Sequence, residues 1–158
     1  MKTTLLAIVL LGTGFTAALA HEAEHHQADA FGKPGDPSKV SRTVAVAMSD
    51  TMRFTPSTIT VKRGQTVKFE VRNGGQLKHE MIIGTMKELK AHAEMMRMMP
   101  GMEHSDENVV SVEPGKTREL VWQFTRAGTF DFACLVPGHF EAGMRGKIVV
   151  SAPPPPKK

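Results

Sequence analysis

Apolar residues recur at every second position in four separate stretches: Val44, Val46 and Met48; Ile59 and Val61; Val67, Phe69 and Val71; Leu120, Trp122 and Phe124. Side chains alternate between the two faces of a β-strand, so each stretch predicts a strand with one face turned to a core. Turn-forming runs separate them: Arg63-Gly64-Gln65, Asn73-Gly74-Gly75, Glu113-Pro114-Gly115-Lys116 and Arg126-Ala127-Gly128. Phe130, Phe132 and Cys134 alternate in the same way, Val109 to Val112 forms another strand, and Lys147 to Val150 forms a closing one. Short strands punctuated this closely predict an all-β sandwich or barrel.

One stretch breaks the pattern. From Thr85 to Met99 strong helix formers replace β-branched residues, and Met86, Leu89, Ala93 and Met96 share one helical face before Pro100-Gly101 ends it. A short Met-rich helical insertion over 84–106 is therefore expected between the strand that begins near His79 and the Val109 strand.

The ends of the chain are different again. Lys2, the apolar run from Leu5 to Leu11 and the small residues Ala18-Leu19-Ala20 read as a secretory signal over residues 1–20, cleaved before His21. The expected location is periplasmic, with no membrane anchor after cleavage, because nothing downstream is long and apolar enough to span a bilayer. Residues 21–39 are polar and rich in His, Gly and Pro, which predicts a flexible arm, and 152–158 make an extended Pro/Lys tail. Between them, 40–151 is one domain, and the whole chain of 158 residues is too short to suggest two.

Cys134 is the only cysteine. An unpaired thiol in an exported protein needs an explanation, and burial as an inert apolar group is the plainest one. Its neighbours favour another. Cys134-Leu-Val-Pro-Gly-His139-Phe-Glu-Ala-Gly-Met144 places a thiol, an imidazole and a thioether within eleven residues, and His79 follows the Gly-rich turn at the head of an apolar strand. Two His, one Cys and a weak axial Met are the ligand set of a type 1 copper site. Soft sulfur donors suit Cu(I) while imidazole accepts either oxidation state, so the set can hold both.

The pattern Cys-x4-His-x4-Met after an aromatic strand, with an upstream His after a Gly-rich turn, resembles the cupredoxin family over about residues 40–150. The loop and its flanks are similar to those of rusticyanins. The resemblance implies a Greek-key β-sandwich of eight strands carrying one type 1 copper, with His79, Cys134 and His139 as trigonal ligands and Met144 as the axial one. Two departures stand out: Glu80 follows the first His where many cupredoxins have Asn, and the small electron carriers lack the helical insertion.

Five of the eight residues from Met95 to Met102 are methionine, flanked by His92, Glu94, Glu103 and His104. Met86 and Met96 fit core packing, whereas Met95, Met98, Met99 and Met102 form a second stripe that could hold additional, weakly bound Cu(I) through thioethers. With the His-containing arm, this composition resembles the periplasmic copper-tolerance cupredoxins of bacteria. His21-Glu22-Ala23-Glu24-His25 matches a zinc-protease pattern but sits in the polar arm with no evident third ligand.

Other classes are excluded by what the chain lacks. Lys and Arg are scattered and the formal net charge is only +4, so no nucleic-acid footprint is present. No His-x-His pair and no second Cys are available to build further copper centres, so no enzyme is expected, only one-electron exchange. The expected function is copper handling or tolerance by a monomer that meets a redox partner protein. The alternative is a dedicated one-electron carrier.

Overall fold

The structure, a computed structural model, describes residues 31–99 and 106–152. The expected signal segment, the first part of the arm with its His21 to His25 pattern, Met102, Glu103 and His104, and the tail beyond residue 152 lie outside the described residues.

Two five-stranded sheets pack face to face. One takes the order β1-β8-β5-β2-β3, from Gly32–Pro34, Thr117–Phe124, Thr66–Asn73, Arg42–Ser49 and Arg53–Thr55. The other takes the order β4-β10-β9-β6-β7, from Thr58–Lys62, Arg145–Ser151, Gly128–Ala133, His79–Gly84 and Val109–Val112. Strands distant in sequence lie side by side: β2 pairs parallel with β5 and β4 parallel with β10, while the remaining pairs are antiparallel. These crossovers give the all-β sandwich its Greek-key character. The alternation is realised: Val44, Val46 and Met48, then Val67, Phe69 and Val71, then Leu120, Trp122 and Phe124 face one core with Ile59, Val61, Phe130, Phe132, Ile148 and Val150.

Strand β6 is the exception, because all six of its residues are buried. Its two faces enter two different apolar clusters. Met81 and Ile83 join the main core, whereas Ile82 joins Leu89, Ala133 and Leu135 in a second cluster, with Ala93, Val109 and Phe140 packed against it. The element responsible is α1, Met86–Met98, the expected insertion. Thr85 caps it, accepting from the Glu88 amide while the Glu88 carboxylate accepts from the Thr85 amide, a reciprocal capping box. Leu89 and Met96 are its buried residues, and a fully buried Leu contributes about 1.5–3 kcal/mol.

The N-terminal end departs from expectation. Residues 31–39, assigned by composition to a flexible arm, are ordered: β1 pairs antiparallel with β8, and the Gly35 amide donates to the Val121 carbonyl at 3.0 Å. Phe31 explains it. This single aromatic is 1% exposed and stacks on Trp122 with ring centroids 5.2 Å apart, close to Phe130 at 5.6 Å. Burying one large ring, together with the hydrogen bonds between β1 and β8, contributes toward the entropy cost of ordering these residues. Among the described residues, no helix is long and apolar enough to cross a membrane.

Candidate metal centre

His79 opens β6 on the face that turns to the main core, because odd-numbered residues of this strand point inward with Met81 and Ile83. The turn before it is fixed by Asn73, the fully buried last residue of β5. Its amide group donates to the carbonyls of Leu77 at 2.7 Å and Val112 at 2.9 Å, and its Oδ1 accepts from the Gly75 amide at 2.9 Å. The His79 ring is further held by Asp50, whose Oδ1 lies 3.0 Å from His79 Nε2.

Cys134 follows β9 and points inward with Phe130 and Phe132. The loop after it closes on itself through backbone bonds. The His139 amide donates to the Val136 carbonyl at 2.9 Å, Met144 to His139 at 3.0 Å, and Cys134 to Met144 at 3.0 Å. Gly138 takes a φ of 86°, a left-handed conformation that side chains disfavour, and so turns His139 back toward the sulfur.

The result is a convergence of three donors. His79 Nδ1 lies 3.1 Å from His139 Nδ1, and Cys134 Sγ lies 3.4 Å from His139 Nδ1 and 4.0 Å from His79 Nδ1. The Glu80 amide is 3.4 Å from the sulfur, and the Glu80 carboxylate accepts from the Leu135 amide at 3.0 Å, so the residue after each of two donors ties one segment to the other. His79 and Cys134 are fully buried and His139 is 8% exposed. Met144 is fully buried in the same core, joined to Cys134 by the backbone bond already described.

Burial pushes the Cys134 thiol up to about 12, despite hydrogen bonds from the Glu80 and Val136 amides that act the other way. Burial, then the neighbouring His79 ring, lowers His139 below the ordinary imidazole value, so the ring is neutral near pH 7. Asp50 is lowered, first by the Gln76 amide and then by the His79 ring and the Leu77 amide. Two imidazole nitrogens and a sulfur thus face one another, an arrangement a soft cation satisfies. The donor set fits copper: thiolate for Cu(I), imidazole for either state.

Of the four residues singled out by sequence, the structure brings His79, Cys134 and His139 into one cluster, with donor atoms all within 4.8 Å of one another. Sequence reasoning missed Asp50 and the bracing role of Asn73. Asp50 carries no local signal, since it lies 29 residues before the His it contacts, whereas the Asn73-Gly74-Gly75 run signals a turn but not the reach of the Asn73 side chain to Val112.

The chain belongs to the copper-binding proteins of the plastocyanin/azurin family, the cupredoxins, whose family model matches residues 40–151. With this donor set, its cofactor is a type 1 copper ion. The chain is 59% identical to the copper-resistant cuproprotein CopI of Rubrivivax gelatinosus over 133 residues, covering 83% of this chain and 81% of that protein. It is 37% identical to the protein of the same name from Vibrio cholerae, covering 91% of this chain and 96% of the other. Among solved structures, reduced auracyanin from Roseiflexus castenholzii superposes with a TM-score of 0.61 at 22% identity, covering 71% of this chain and 98% of its own, which shows the shared fold.

Proposed function

We propose that the protein is a periplasmic copper-handling cupredoxin that contributes to copper tolerance, and that His79, Cys134 and His139 would hold copper with Met144 as a weak fourth donor. The observation that carries this is the convergence of three buried donors on the family scaffold. The name of the relatives, copper-resistant, supports the physiological direction. Copper, when bound, supplies a one-electron couple. The chain supplies a protected cage. The Cys134 thiol gives up its proton on binding, His139 presents a neutral ring, and the loop's own backbone bonds limit rearrangement between oxidation states. No turnover chemistry beyond one-electron exchange is assigned, and the protein acts as a monomer that meets a redox partner.

Two measurements test it. The Cu(II)-loaded mature protein should show an intense sulfur-to-copper absorption, and cells lacking the protein should grow poorly on high copper. Unchanged growth on copper, with a respiratory or substrate-oxidation defect instead, would favour the dedicated electron carrier. That second reading draws support from apolar surface near the site, where Leu77 is exposed and Val136 and Phe140 are half-buried.

The Met-rich segment is assigned a secondary Cu(I) role in the same function. Met98, at 68% exposed, and the exposed Met99 do not serve the core, whereas Met96 does. The helix end that carries them borders the ligand loop, because Ala93 and Arg97 line a shallow groove with Leu135, Pro137, Gly138 and Phe140. Titrating a Cys134→Ala, His79→Ala variant with Ag(I) should reveal residual binding; none above background removes this role.

A further inference from the structure

We infer that Asp50 is a positioning residue for the copper site: its carboxylate fixes the ring and tautomer of His79 and biases the centre toward Cu(II). The inference rests on the copper assignment proposed above and extends it to a residue outside the ligand set.

Asp50 stands just after β2, in the turn to β3. Its Oδ1 lies 3.0 Å from His79 Nε2 and accepts from the Leu77 amide at 3.3 Å, while Oδ2 accepts from the Gln76 amide at 2.6 Å. The carboxylate therefore grips both the ring and the backbone leading into it, so His79 and its turn are set by one anchor. The chain makes room for that anchor at Gly75. A Cβ there would stand 1.9 Å from Asp50 Oδ1 and 2.5 Å from its Cγ, so any side chain at this position evicts the carboxylate.

An ionised carboxylate only accepts, so the proton of neutral His79 must reside on Nε2. That leaves the Nδ1 lone pair free on the side of the ring that faces His139 and Cys134, as copper binding requires. Carboxylates behind metal-binding imidazoles also raise ligand basicity, and removing such partners typically costs 10–100-fold in metal affinity. An added negative charge favours the more highly charged Cu(II) over Cu(I). The Asp50 side chain is 35% exposed, so water screens part of the charge and the effect belongs at the lower end of that range.

The test compares full-length mature protein with Asp50→Asn, Asp50→Ala and Gly75→Ala. In the metal-free wild type, nitrogen NMR should find His79 protonated at Nε2, and Asp50→Ala should give a tautomer mixture. With copper bound, Asp50→Ala should lower the preference for Cu(II) over Cu(I) about tenfold, a rise of about 59 mV in potential. Asp50→Asn keeps an acceptor but loses the charge, and should rise by less. Gly75→Ala should move in the same direction although Asp50 and every ligand remain. A wild-type tautomer already mixed, or an Asp50→Asn and Gly75→Ala pair that fold normally with less than a twofold change in that preference, overturns the inference. Absence of the sulfur-to-copper band in the wild type would instead overturn the copper assignment, and the metal-free tautomer still decides whether Asp50 positions the ring.

Discussion

The donors reach the centre by two unlike routes. Cys134, His139 and Met144 sit on one short loop whose backbone bonds run from the loop to itself. His79 is delivered by strand β6, and what holds it comes from elsewhere: Asn73 at the end of β5, Val112 on β7 and Asp50 after β2. The loop half is local and would keep much of its shape wherever its two ends were held. The strand half exists only once the sandwich has assembled. A metal site built this way can be pre-set where its loop closes on itself and still depend on global folding for His79.

The sharpest way to separate the halves is to remove the sulfur. Cys134→Ser should abolish the sulfur-to-copper absorption completely, while the metal-free fold, read by circular dichroism, persists. Next in size is Leu89→Ala. Leu89 packs with Leu135, the residue after Cys134, so a cavity in the second cluster should cost about 2–5 kcal/mol in denaturant unfolding and show whether the loop half leans on the helix. Asn73→Ala attacks the other half by deleting three hydrogen bonds, one buried and two part-buried, at a cost of about 2–3 kcal/mol. It should also weaken copper binding, whereas a variant that loses stability but binds copper as tightly would mean that the strand half does not need its turn.

The last test varies pH. The thiol is raised from an ordinary 9.0 to about 12, so the unfolded chain gives up this proton first as pH rises. Stability of the metal-free protein is therefore fully present below pH 9 and is lost toward pH 12, at about 1.4 kcal/mol per pH unit. Unfolding curves of wild type minus Cys134→Ala isolate that slope from the lysines. A difference that stays flat between pH 9 and 12 would mean that the buried thiol is not penalised.

The same division decides what was legible in the sequence. Strands β2, β4, β5, β8 and β9 announce themselves by alternation, and α1 by its helical face and the Pro100-Gly101 stop, because each is long enough for a period to appear. The three-residue strands β1 and β3 carry no period; they form because Phe31 finds Trp122 and because residues 53–55 pair with the end of β2. The family resemblance implied eight strands, and these short ones bring the count among the described residues to ten. The loop donors are close in sequence and were read together, and His79 was found through the Gly-rich turn before it. Asp50, and the bond from Asn73 to Val112, act through tertiary contacts, which no local pattern encodes.

Short strands carry a further consequence. Each sheet ends on them: β1 and β3 border one with three residues apiece, and β4 and β7 border the other with five and four. Unpaired backbone at a sheet margin is a template on which another chain can extend, and these margins offer only one or two hydrogen-bonding repeats. A scaffold with such blunt rims resists edge-to-edge recruitment into aggregates, even when many copies crowd together.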